Sequence, residues 1–495
     1  MIRQNGGEIL NMFASQDAAN RPNRDQSRFS WVRPQMDFLV GPLMLAAAKV
    51  GQTKRLVSIF EYIRNIDFED NRKETALHKA ANGGYSDVVQ LLLTKGASIG
   101  ALNEDNRTPL HYAARNGHTD MVELLLTKGA STEVVDKDAA TPLHLAARNG
   151  RTGTVKLLLS RGASTEATNI YNYTPLYLAA RNSHTDTVEI LRASIEAVDK
   201  ENNTSLHFAS RDGYTDTVEL LLGKGASIDA VNKYKNTSLH LAILNGQTRT
   251  VELLLKKGAS IKALAFDKNT PLHLAACNNH ISIVELLLMK DVLIEATNED
   301  SETPLYLAAR NTYAEVVELL LRKGALIDAV NEDNNTPLHR ACKYGYIAMV
   351  ELLLEKGASI NAIGEDNNTP LHLAACRGYT GVAKLLLMRG ALIDAVNESN
   401  LTPLHRASMS GQVGVVELLL RKGASIEAIS ESKNTALHIA AWHGQTGVVE
   451  LLLKGGASIK VMNKWGHTPF HRASKNGHTY TMQLLKNKAD ELDRA

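Results

Sequence analysis

From about residue 70 onward the apolar positions fall into two alternating blocks. The first is Leu-His-Leu-Ala-Ala or a close variant, which predicts a short helix with a narrow alanine face that lets a neighbour approach closely. The second, as in Val122-Glu123-Leu124-Leu125-Leu126, predicts another helix. Between the pairs run polar stretches such as Glu-Asp-Asn-Asn, turn formers that adopt positive φ and suit a hairpin tip. The punctuation agrees with this pattern. Thr-Pro opens the first block, Thr serving as N-cap and Pro filling the first helical position, where its missing N–H would be unpaired anyway. A glycine such as Gly117 or Gly150 ends the first helix, and Lys128-Gly129 closes the second with a residue able to take the left-handed conformation.

The tetrapeptide Thr-Pro-Leu-His recurs, with small variations, from Thr75, Thr108, Thr141, Thr174, Thr204, Thr237, Thr270, Thr303, Thr336, Thr369, Thr402, Thr435 and Thr468. Every interval is 33 residues except the 30 between Thr174 and Thr204. A 33-residue period with this motif resembles the ankyrin repeat. The resemblance covers residues 70–495, and a weaker copy, with Pro42-Leu43-Met44-Leu45-Ala46-Ala47 at its start, precedes them in residues 41–69. It implies an all-α fold with short β-hairpin tips, in which helix-turn-helix repeats stack into a curved superhelix.

The organisation expected is a polar segment at 1–40 that reads as disordered, then a divergent N-terminal capping repeat at 41–69 with Met44 in place of the motif histidine. Twelve repeats follow at 70–462, the one at 169–198 shortened by three residues, and a C-terminal capping repeat occupies 463–495. In that last repeat Lys486 replaces the third leucine of the second helix and Ala489 its closing glycine, which makes the outer face polar. Nine of the twelve prolines are motif prolines and the others lie at or before Pro42, so no linker divides the array. At helix packing distances of about 8–10 Å, such an array extends on the order of 100–130 Å. Some units depart from the pattern: three residues are missing between Glu189 and Ala193, Asp291 replaces a closing glycine, and Asn279 and Thr312 stand where the inter-helix glycine is usual. The deletion is where a change of stacking angle or a local weak point is expected.

Composition narrows the function classes. A balance of 55 basic against 53 acidic residues, net +2, gives no general pull toward nucleic acid or anionic membrane. The polar N-terminus has no apolar run long enough for a signal peptide or membrane anchor. Three cysteines, Cys277, Cys342 and Cys376, all in the first helices, read as reduced packing residues of a cytoplasmic or nuclear protein. No kinase region, transmembrane span or ligase-recruiting box follows the repeats, and the chain reads as a monomer.

Apparent catalytic motifs dissolve on inspection. Gly96-Ala97-Ser98-Ile99-Gly100 matches G-x-S-x-G, yet Gly-Ala-Ser closes the second helix in most repeats and does not sit between a strand and a helix. Eleven of the seventeen histidines belong to the motif, one per repeat, too far apart to share a metal ion. Tyr177 and Tyr306 take their place twice. The resemblance implies that histidines such as His111 and His144 hydrogen-bond within and between repeats. The N-x-T matches at Asn106, Asn172, Asn202, Asn334, Asn367 and Asn400 are tip residues before a capping Thr. With no nucleotide or calcium motif present, neither an enzyme nor a cofactor is expected.

What varies between repeats is then the informative part. The resemblance implies that a partner contacts the concave face, here the residues seven and eight after each motif Thr and the tip residues one, three and four before it. On the helix these include Arg115, Arg148, Arg181, Arg211, Arg310, Tyr344 and Trp442. Tip candidates are Tyr171, Tyr173, Tyr234, Phe266 and Trp465, with paired acids later at Glu299–Asp300, Glu332–Asp333 and Glu365–Asp366 and single ones at Glu398 and Glu431. Arg, Tyr and Trp are favoured interface anchors, so a protein-binding scaffold or adaptor is expected. Binding of nucleic acid or another polyanion by the row Arg115 to Arg211 is the alternative, and it would show as a steep loss of binding with salt.

Overall fold

The computed structural model describes residues 33–191 and 193–494. Among these it contains 28 α-helices, from Arg33–Lys49 to Thr479–Arg494, plus single 3₁₀ turns at Phe266–Lys268 and Glu365–Asn367. No strand forms among the described residues. The expected hairpin tips are present as turns, and a single antiparallel bridge, Val198 with Thr204, is the one β-pairing recorded there. The chain forms two compact units. One holds the described residues up to Ala242 with Lys256–Gly258, and the other holds Ile243–Leu255 with the residues from Ala259 on. Within each unit first helices pack on first helices, as Pro109–Asn116 does between Ala76–Gly83 and Pro142–Arg148, and second helices pack on second helices.

Each motif histidine does two things. Thr108 N–H donates to His111 Nδ1 at 3.1 Å, closing a capping box in which His takes the place usually held by Glu or Gln. With Nδ1 accepting, the ring proton sits on Nε2, which donates to a carbonyl 29 residues on: His111 to Ala140 at 3.1 Å, His144 to Tyr173 at 3.1 Å, His372 to Leu401 at 2.8 Å. The cap of one repeat is thereby fastened to the next. His471, in the last repeat, is exposed and bonds only within its own cap. Tyr177 reaches farther than an imidazole, and its hydroxyl donates to the buried Asp199 at 3.1 Å.

The core repeats with the motif. Leu110, Ala113, Ala114, Val122 and Leu125 are fully enclosed, as are their counterparts Leu371, Ala374, Ala375, Ala383 and Leu386. Truncating one such leucine to alanine costs about 2–5 kcal/mol. A second inter-repeat clamp uses the acidic residue eight before the motif Thr. Glu133 accepts from Ser164 N–H at 3.1 Å, Glu196 from Ser227 at 2.8 Å, and Asp328 from Ser359 at 3.1 Å. Consecutive tips are joined by backbone bonds, as in Lys137 N–H to Asp105 O at 2.9 Å and Glu398 N–H to Asp366 O at 2.9 Å. Side chains join them too, such as Asn232 Nδ2 donating to Asn203 Oδ1 at 2.8 Å and Asn463 to Asn434 at 2.8 Å. The sequon asparagines Asn106, Asn172, Asn202, Asn334, Asn367 and Asn400 all hold positive φ in these tips.

The departures resolve individually. Asn279 and Thr312 keep the left-handed backbone at φ 59° and 65°, which is strained for the β-branched threonine. At Gly345, where the pattern is intact, a Cβ would fall 2.6 Å from the Tyr379 ring, so the glycine there serves close approach as well as φ. Asp291 does not keep the left-handed conformation expected of a closing residue. Its helix, Ile281–Leu288, stops a residue early and the chain leaves through a tight Val292 N–H to Lys290 O bond. At the deletion the second helix shrinks to Thr185–Ile190, Leu191 turns extended, and Lys224 Nζ donates to the exposed Glu189 carbonyl at 2.8 Å.

Both ends differ from the sequence expectation. The first helix starts at Arg33, inside the segment read as disordered, and runs through Pro42 to Lys49. Gly41 makes room for the Phe68 ring, and Asp37 accepts from Arg64 N–H at 2.9 Å, tying the helix to the following loop. These contacts are tertiary, so local composition did not reveal them. The rest of that segment, residues 1–32, lies outside the described residues. At the other end, with Ala489 in place of the stop glycine, the last helix continues for 16 residues to Arg494.

Two consequences are measurable. Changing Thr312→Gly relieves a left-handed threonine and is expected to raise unfolding stability by about 1 kcal/mol, read from urea denaturation. Burial also holds buried motif histidines such as His78, His144, His207, His339 and His405 below their ordinary value of 6.5, with His111, His273, His372 and His438 down to about 4. Between those values the unfolded chain binds more protons, so stability is full above pH about 6.5 and falls as pH drops through about 4. The urea midpoint should decline over that window, and an unchanged midpoint would contradict the neutral, fastened histidine.

Candidate partner-binding site

In the first unit the four arginines of the row occupy equivalent places at the ends of Pro109–Asn116, Pro142–Arg148, Pro175–Arg181 and Ser205–Arg211. The structure does not treat them alike. Arg115 and Arg148 are exposed, and no ion pair to their guanidinium groups is recorded among the described residues. Arg181 is half-buried and lies 5.5 Å from the centroids of both Tyr173 and Phe208. Arg211 sits 4.6 Å over the other reach of Phe208 and is held bidentately by Asp212, at 2.8 and 3.0 Å. The local charge of Arg211 is therefore met from within.

Around these two arginines the aromatic side chains form a continuous run. Tyr171 stacks on Tyr173 at 5.5 Å, Tyr173 on Tyr177 at 4.2 Å, and Tyr177 meets Phe208 edge-on at 4.8 Å. Tyr177 and Phe208 are buried while Tyr171 is exposed, so the run leads from the core to the surface. Burial and the Asp199 carboxylate push the Tyr177 phenol far up, leaving it a hydrogen-bond donor with no acid–base role near neutral pH. Farther on, Tyr234 is exposed with Lys233 Nζ 5.8 Å from its ring.

Other first-unit charges are already committed. Lys79 pairs with Asp70 at 2.7 Å and with Glu74, which also accepts from Tyr112. Arg107 spans the buried Asp136 at 3.1 Å and Asp105 at 3.4 Å.

In the second unit Arg310 pairs with Glu302 at 2.7 Å. Burial raises the Glu302 carboxyl, an effect that Arg310 only partly opposes. Phe266 is 64% exposed on its 3₁₀ turn. The acids Glu299, Asp300, Glu332, Asp333, Glu365, Asp366, Glu398 and Glu431 are exposed, and none has an ion pair recorded among the described residues. The structure brings Trp442 and Trp465 together around a residue the sequence reading passed over. Arg472 lies 3.6 Å from the Trp442 centroid and 5.8 Å from that of Trp465. Tyr344 is covered likewise, by Arg340 at 4.3 Å, and stacks on Tyr346 at 5.9 Å.

Arg340, Arg406 and Arg472 each stand four residues after a motif Thr, a position filled elsewhere by leucine or isoleucine, as at Leu145, Leu274, Leu373 and Ile439, or by Lys79, Tyr112 and Phe208. An arginine at a place most often held by leucine or isoleucine was the available signal. All three are half-buried, and the Nε of each is enclosed without a hydrogen-bond partner. A cavity of about 260 Å³ opens beside Arg472, lined also by Leu401, Met409, Glu431, Trp442 and His443.

The remaining chemistry is structural. The cysteines are free thiols, and burial pushes those of Cys277 and Cys342 up, away from reactivity. Gly96 ends the helix Ser86–Thr94 at φ 90°, and Ser98 N–H donates to Asp67, so the G-x-S-x-G match is a helix terminus. Among the described residues no three His, Cys, Asp or Glu side chains converge as a metal site, and no helix is long and apolar enough to cross a membrane.

A family model described as ankyrin repeats (3 copies) matches residues 43–136, 126–201, 192–265, 272–364, 326–397, 362–430 and 427–494. The chain belongs to the ankyrin-repeat family. Members of it are generally protein–protein interaction modules and typically non-catalytic. No match was found among curated proteins.

Proposed function

We propose that this chain is a non-catalytic scaffold or adaptor that holds a partner protein against its first helices and tips. The observation that carries this reading is the first-unit surface from Arg115 to Phe208. Two exposed guanidinium groups, those of Arg115 and Arg148, precede in the stack an aromatic run that packs on Arg181 and Arg211 and reaches from the core to the exposed Tyr171. Tyrosine and arginine are among the side chains most often found as interface anchors. A polyanion ligand is the weaker reading, since Arg211 is already neutralised by Asp212 and the chain carries a net charge of only +2. Free thiols at Cys277, Cys342 and Cys376 support a reducing cytoplasmic or nuclear setting, and the protein is taken to act as a monomer.

Affinity capture with the wild-type chain and a variant carrying Arg115→Glu, Arg148→Glu, Arg181→Glu and Arg211→Glu tests the proposal. Loss of a defined set of partner proteins is expected, and an unchanged set refutes the role of this surface.

A further inference from the structure

The second unit carries three guanidinium groups for which no ion pair is recorded among the described residues. Arg340, Arg406 and Arg472 recur every 66 residues, on alternate repeats, with Leu373 and Ile439 at the intervening positions. Each has an enclosed Nε without a partner, and no ion pair to any of them is recorded among the described residues. Two lie over aromatic rings, Arg340 over Tyr344 and Arg472 over Trp442 with Trp465 farther off. An enclosed donor on a cation lacking a counter-ion is costly to keep. Arg107, Arg211 and Arg310 show the usual remedy, a neighbouring carboxylate.

We infer that Arg340, Arg406 and Arg472 read an extended peptide of a partner protein whose carboxylates fall at the spacing of alternate repeats. At about 8–10 Å per repeat the arginines stand about 16–20 Å apart along the stack. An extended chain covers that distance in about five to six residues at 3.3 Å each, and of these only six, an even number, returns side chains to one face of the strand, toward the arginines. The odd positions then face away from them. The exposed acids of the tips, Glu332, Asp333, Glu365, Asp366 and Glu398, favour lysine or arginine on that second face. The partner segment is therefore of mixed charge, acidic along one face and basic along the other. Nucleic acid, negative on every side, meets the same tips with repulsion. The inference uses none of the four first-unit arginines, so it stands or falls apart from the capture experiment above.

The test is fluorescence anisotropy of the full chain with a labelled peptide carrying glutamate at about every sixth position and lysine at alternate positions between. Binding is expected, with a loss of about tenfold or more for Arg406→Gln and intermediate loss for Arg406→Lys, which keeps the charge without the planar fork. The triple variant Arg340→Gln, Arg406→Gln, Arg472→Gln should abolish it while the helical circular dichroism stays unchanged. A peptide of the same composition with its glutamates at about every fifth position puts successive acids on opposite faces and should bind at least tenfold more weakly. Equal binding of the two peptides, undiminished binding by the triple variant, or tighter binding of a single-stranded oligonucleotide each overturns the proposal. If the triple variant unfolds, the two peptides on the wild-type chain still decide it.

Discussion

The bond from a buried histidine to a carbonyl 29 residues away is the interaction on which the rest depends. A pair of short helices has one apolar face and too few residues to be stable alone. Closing the Thr cap on Nδ1 leaves Nε2 as the donor, and the acceptor it finds lies in the next repeat. Local helix initiation and long-range stacking are thus satisfied by one side chain. That double duty explains why the position tolerates Tyr177 and Tyr306, which keep a donor or the bulk, better than it would tolerate a small residue.

Around this constraint the remaining polar groups sort into two kinds. One kind is spent on stacking: the carboxylates that accept from Ser164, Ser227 and Ser359, and the residues ten after the motif Thr that reach back to the preceding helix, as His184 does to Arg148 O at 3.0 Å. The other kind is left over. Arg115, Arg148, Arg340, Arg406, Arg472 and the acids of the later tips have no such employment, and they give each unit its own chemical character.

The fold was legible because every device in it is local and repeated. Thr-Pro, the alanine pair, the closing glycine and the tip asparagines each act within a few residues, and thirteen copies multiply the signal. What escaped was tertiary. The helix from Arg33 is secured by Phe68 fitting against Gly41, a contact no window of sequence contains. Asp291 was read only as replacing a closing glycine, whereas its helix ends early and the left-handed turn is not formed there. For the candidate site, Arg181, Arg211, Trp442 and Trp465 were named by position without their packing, and Arg310 proved to be committed to Glu302. The arginines four after the motif Thr were missed because that position is apolar in most repeats and was assigned to the scaffold.

The tips are joined to one another through main-chain atoms, Lys137 N–H to Asp105 O and Glu398 N–H to Asp366 O among them. Asparagine side chains brace the same ladder, as Asn397 does to Asn368, but the left-handed position accepts Lys73, Ala139, Lys235 and Lys433 besides asparagine. At that position such an edge is insulated from its own sequence drift. Duplicated units can diverge at the tips while remaining interchangeable as building blocks, and a new specificity can be acquired without renegotiating the architecture that presents it.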